Sequence, residues 1–312
     1  MAITEDDKAR YVRFAVQVAL ELKVASIAPD TILWHYTTGS TLISILESMS
    51  LYSTQLSCLN DSTELRYASK HFQNALRATR AAITSTGLAA DLLDGALEYF
   101  KEDPDAPFQT GVFHFVTCFS EDRDDLGQWR GYGTEENGYA IGFRAQDLLG
   151  VQDATLIRVN YDSALHERLA RRIVDAMVTF FEEAMTKYAP TDPVAFGKEF
   201  LGAWDDAIVM VAPSVKDPGF RGERECRIVK SFRDDELPQL KFIQKSTMMT
   251  RHLPIKPPVG NSFTPYRLPI AEVIIGPCRH PHVSRISVDT LLRQKGYPTG
   301  MVSISKIPYQ ST

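Results

Sequence analysis

Short runs of β-branched and aromatic residues recur along this chain at irregular intervals, separated by helical stretches of very unequal length. The β-rich runs are 31–36, 51–54, 112–119, 139–143, 156–161, 225–232, 272–275 and 302–307. Apolar residues at spacings of three and four predict helices over 5–27, 41–49, from about 61 to 85, 88–101, 163–188, 193–211 and 283–295. Residues 124–132 read as a short helix or turn. A doubly wound sheet needs strands and helices in regular alternation, and this order lacks it. The fold expected is α+β with a mixed or mostly antiparallel central sheet.

The 163–188 and 193–211 helices follow one another with only the turn around Pro190–Pro193 between them, so they read as a helical pair inserted at 162–212 and packed on the sheet. At roughly 100–200 residues per domain, 312 residues make one large domain or two small ones. The organisation expected is a helical N-terminus over 1–30, then a single α+β domain over 31–312 carrying that insertion.

The net charge of −5 provides no general attraction to nucleic acid or to an anionic membrane. The N-terminus starts acidic and shows no early apolar stretch, and no apolar run approaches the ~20 residues of a membrane span. A cytoplasmic protein with no membrane partner is expected. Cys58, Cys118, Cys226 and Cys278 are far apart and form no Cys-x-x-Cys pair, so free thiols and no metal are expected. Phosphate-loop, dinucleotide-fingerprint, zincin and nucleophile-elbow motifs do not occur.

Four constellations carry possible chemistry. Trp34-His35-Tyr36-Thr37-Thr38-Gly39 lies at a strand end, where an imidazole can bond a ligand hydroxyl with one nitrogen and the backbone with the other. The alternative is a half-buried strand histidine capped by Thr37. Asn60-Asp61-Ser62-Thr63-Glu64 suits a sugar or a metal, or simply caps the next helix, with Asp61 at the N-cap and Glu64 three places on. In the third, Thr117-Cys118-Phe119-Ser120-Glu121-Asp122 precedes Gln128-Trp129-Arg130-Gly131-Tyr132-Gly133. Trp129 and Tyr132 suit stacking on a base, and their i, i+3 spacing also suits a short helix packed on a core. In the fourth, strand alternation would put Glu223, Glu225 and Arg227 on one face, as a polar site or as a solvated edge with ion pairs.

Read together, LWHYTT (33–38), LYSTQLSCLNDSTE (51–64), TCFSEDRDDLGQWRGYG (117–133), GYAIGF (138–143), ERECRIV (223–229) and EVIIGP (272–277) resemble, in order, the bacterial domain-of-unknown-function family numbered 2971. The chain also resembles the ADP-ribosyltransferase fold. Those enzymes carry a His or Arg on an early strand, then a helix and a short strand, and a late Glu-x-Glu. Their middle Ser-Thr-Ser element has no plain counterpart here. That resemblance implies an ADP-ribosyltransferase-like sheet and NAD as substrate, with Glu225, His35 and Glu223 as catalytic residues. It implies substrate contacts from Tyr36, Thr37, Ser53, Asn60, Asp61, Ser120, Trp129, Tyr132 and Arg227. In that scheme His35 binds the ribose, while Glu225 bonds the 2′-hydroxyl and stabilises an oxocarbenium-like transition state. The activity implied is ADP-ribose transfer to a macromolecular acceptor or NAD cleavage, in a phage-defence or toxin-like role. The alternative is a non-catalytic nucleotide- or nucleic-acid-binding sensor module.

Overall fold

The computed structural model describes residues 3–21, 27–58, 63–84, 86–102, 114–132, 137–232, 234–244, 248–258 and 266–308. In chain order the elements are α1 (Glu5–Glu21), β1 (Ile32–Thr38), α2 (Gly39–Ser48), β2 (Leu51–Gln55), α3 (Thr63–Ala82) and α4 (Leu88–Glu102). Then come β3 (His114–Ser120), α5 (Leu126–Tyr132), β4 (Gly138–Arg144), α6 (Ala145–Leu148), β5 (Ala154–Arg158), α7 (Ser163–Tyr188) and α8 (Pro193–Val211). The chain ends with β6 (Glu225–Ser231), β7 (Lys241–Gln244), β8 (Met249–Ile255), β9 (Ile270–Ile275), α9 (Pro281–Gln294) and β10 (Val302–Ile304). The loop expected around Pro104 and Pro107 lies outside the described residues.

The backbone divides into two compact units: residues 1–26, 56–114 and 159–219, and residues 27–55, 115–158 and 220–312. In the first, α1, α3, α4, α7 and α8 supply most of one apolar core. Leu165, Leu169, Ile173, Met177 and Phe181 line one stripe of α7 at helical spacing and are buried there. Tyr11 of α1 packs within 5.3 Å of the Phe180, Phe200 and Trp204 rings. Asp162 caps α7 by accepting from the Ala164 and Leu165 amides, and Asp192 caps α8 in the same way. These two helices were expected as an inserted pair packed on the sheet. Both form at the expected positions, but their apolar stripes are buried against other helices, α1 among them.

The second unit is built on the sheet, in the order β10-β9-β4-β1-β3-β2-β8-β7, with β6 bonded to β3 and β5. The strand pairs of known register are antiparallel except β9–β10. This is the mixed, mostly antiparallel α+β sheet expected. β1 and β4 pair from Ile32↔Arg144 to Thr38↔Gly138. One side of these strands, with Leu33, Ile141, Phe143 and Val273, meets Leu42, Ile45 and Leu46 of α2 and Val288 and Leu292 of α9. Trp34, Tyr36, Ala140 and Ile274 alternate to the other side and pack with Trp129 of α5. Two strands were not expected, β7 and β8. Pro254 within β8 obscured the pattern, and the structure places it opposite Tyr52 of β2.

Candidate functional site

β3 bonds to three strands, β1, β2 and β6. β1 meets it at Trp34↔Ser120, near one end, and β2 at Thr54↔Val116 and Gln55↔Phe115, near the other. Next to the β1 contact, His35 Nδ1 lies 2.9 Å from the Cys118 carbonyl oxygen. That oxygen can only accept, so Nδ1 carries the proton. Burial lowers the pKa of the ring, and the Cys118 carbonyl offsets this only in part, so the imidazole is neutral near pH 7. Its Nε2 then presents a lone pair, and among the described residues no side chain or backbone group bonds it. His35 is half-buried, with its ring centroid 5.7 Å from that of Phe119.

The 120–125 turn gathers several of the residues named from sequence. Ser120 Oγ donates to the Glu223 carbonyl at 2.7 Å and accepts from the Asp122 amide at 3.1 Å. Tyr36 Oη donates to the Asp122 carbonyl at 2.7 Å and accepts from the Asp125 amide at 3.2 Å. Trp129 Nε1 donates to Asp124 at 2.8 Å, and its ring meets Tyr36 edge-on at 4.6 Å. Asp124 also accepts from Ser305 Oγ at 2.6 Å and from the Lys306 amide at 2.8 Å. Arg158 and Arg224 flank Glu121. The acidic turn was visible in the sequence; that its carboxylates organise α5, β10 and β6 was not. Trp129 is buried and is not exposed for stacking on a base, whereas Tyr132 lies exposed at the end of α5. Thr37 is buried, and Ser53 is buried in a 2.6 Å hydrogen bond with Thr117. Asn60 and Asp61 lie outside the described residues. In the helical unit, Glu64, read as a capping partner of Asp61, lies 2.7 Å from buried Lys216.

The late acidic motif differs from expectation at one residue. Glu223 ends a 3-10 turn, and β6 begins only at Glu225, because Arg224 between them adopts a left-handed φ of 44°. Glu223 therefore does not share a strand face with Glu225 and Arg227. Those two do share one: Arg227 Nε and Nη2 donate to the Glu225 carboxylate oxygens, each at 2.8 Å, and both residues are buried. Cys226 and Ile228, which alternate with them, enter the same core as Leu33 and Phe119. Strand alternation thus directs His35 to the Leu33 and Phe119 side, and Glu225 and Arg227 to the other. The structure does not bring His35 and Glu225 together.

Among the described residues the four cysteines are free thiols, Cys226 and Cys278 buried. Burial pushes the Cys226 thiol up to about 12, which leaves it unreactive. No group of three or more His, Cys, Asp and Glu side chains among the described residues is arranged to hold a metal ion. None of their helices is long and apolar enough to cross a membrane.

Residues 128–228 match the model of a family described as a protein of unknown function (DUF2971). The matched stretch holds Trp129, Tyr132, Glu223, Glu225 and Arg227, and stops short of His35, Ser53 and Ser120. Neither a curated protein nor a solved structure matches the chain.

Proposed function

We propose that the sheet unit is a binding module for a ribose-bearing nucleotide, NAD included, and that it acts by recognition without turnover. The observation carrying this reading is the His35 imidazole. One ring nitrogen is held by the Cys118 carbonyl, which leaves the other as a fixed, neutral acceptor for a ligand hydroxyl. A nucleoside ribose presents such hydroxyls. Transfer of ADP-ribose would further need a carboxylate beside the developing positive charge. Glu225 has both oxygens engaged by Arg227 and points from the other side of the strands, which favours binding over chemistry.

Calorimetry with NAD, AMP and ribose-free adenine tests this reading. Binding of the two ribose-bearing ligands, weakened by about tenfold in His35→Ala, is expected for a lost hydrogen bond of about 1.4 kcal/mol. Absence of heat with all three ligands overturns the reading. So does NAD consumption that Glu225→Gln abolishes while circular dichroism is unchanged; that result restores the transferase expectation.

A further inference from the structure

The helical unit holds a second polar cluster, unrelated to the nucleotide reading. Tyr67 and His71 lie one turn apart on α3, the i, i+4 spacing that places two side chains on one helix face. His166, near the start of α7, completes the group. The Tyr67 and His166 rings are 5.6 Å apart, Tyr67 and His71 4.8 Å, and the two imidazoles 5.5 Å.

The hydrogen bonds settle the protonation of His166. Its Nε2 lies 3.0 Å from the Asn160 carbonyl oxygen, which only accepts, so Nε2 carries the proton. Its Nδ1 therefore presents a lone pair, 3.0 Å from Tyr67 Oη. A histidine whose outer N–H is fixed by a carbonyl while its inner nitrogen faces other donors has the arrangement seen around metal-ligating imidazoles. His71 adds an independent observation: its Nδ1 is buried and, among the described residues, has no hydrogen-bond partner. Buried polar atoms without a partner are rare enough to call for one.

We propose that Tyr67 Oη, His71 Nδ1 and His166 Nδ1 form a site for a divalent transition metal, zinc being the best fit. Zinc accepts nitrogen and oxygen ligands, imposes no geometric preference from its d electrons, and fills a fourth position with water. Tetrahedral ligands at about 2.0–2.1 Å from zinc lie about 3.3 Å from one another. The present 3.0 Å between Tyr67 Oη and His166 Nδ1 needs to open by only a few tenths of an ångström. Binding displaces the phenol proton to solvent, so each metal bound releases one proton. Ser163 Oγ, 3.4 Å from Tyr67 Oη, is placed to donate to the resulting phenolate. Asp162, Asp217 and Glu167 add negative potential, and Lys70 opposes it.

The test uses the full chain, stripped with EDTA and titrated with zinc in two buffers of different ionisation enthalpy, and with cobalt(II) followed by visible absorption. One equivalent of zinc, release of one proton per metal and tetrahedral cobalt bands are expected. His71→Ala should weaken zinc binding by more than about tenfold, the low end for disturbed metal sites. Tyr67→Phe should abolish the proton release. The orphaned nitrogen makes His71→Ala decisive: if the cluster is only packing, that variant folds and takes up zinc like the parent. Such a result overturns the proposal, as does the absence of stoichiometric uptake. Uptake abolished only by replacing the exposed His280 and His282 also overturns it.

Discussion

Arg227 grips the carboxylate of Glu225, two residues earlier on the same face of β6, through two hydrogen bonds of 2.8 Å, and its own side chain is 1% exposed. Removing either partner takes from the other buried charge a bidentate ionic partner. Arg227→Ala should therefore destabilise the protein by about 3–5 kcal/mol, the range for removing one partner of a buried pair. Replacing both with apolar residues of similar volume should cost less than the sum of the two single changes. Urea unfolding of the three variants checks this; additive costs would show that the pair is not coupled.

His166 is 1% exposed, and burial pulls its pKa down from 6.5 to about 4, with nearby His71 a smaller cause. The depressed value means that the unfolded chain takes up the proton first as the pH falls. This contribution to stability is intact above about pH 6.5, declines as the pH falls toward 4 and is lost below it. The shift corresponds to roughly 3 kcal/mol. Buried His114, also lowered to about 4 by desolvation, adds to the same window. Unfolding free energies in EDTA between pH 7.5 and 4 should fall, and His166→Gln should flatten the slope. A parent and variant with the same slope would refute the assignment.

Gly142 faces Trp34 across β1 and β4, and a Cβ added at Gly142 would lie 2.7 Å from the indole ring. Trp34 is buried in a cluster with Tyr36 and Trp129, and the Arg123 guanidinium lies 5.5 Å from its ring centroid. Gly142→Ala should cost about 1–3 kcal/mol through overpacking. Thermal unfolding reads it directly, and an unchanged melting temperature would show that the indole moves aside freely.

Much of the fold was legible because it follows local rules. The stripe on α7 and the Asp162 and Asp192 caps mark helices whose bounds match the expected 163–188 and 193–211. Alternation in β1 and β4 marks strands whether or not their partners are known. β7 escaped because its four residues are all exposed, so no face had to be apolar. The Glu223 reading failed for a backbone reason, since nothing in Glu-Arg-Glu announces the left-handed turn at Arg224. In the candidate site, the imidazole with one nitrogen on the backbone was anticipated from its place at a strand end. Its partner, the Cys118 carbonyl 83 residues away, was not.

The sequence alone determined most of the helices and strands, β7 and β8 excepted, that the fold is α+β rather than doubly wound, and that His35 stands near a strand end. These depend on periodicity and capping, which act over a few residues. Only the tertiary structure decided that the Glu225–Arg227 pair is buried, that His35 leans on Cys118 and that Tyr67, His71 and His166 meet. Those outcomes depend on which strand edges and helix faces come together over separations of up to about a hundred residues, and contacts of that range leave no periodic trace in the chain.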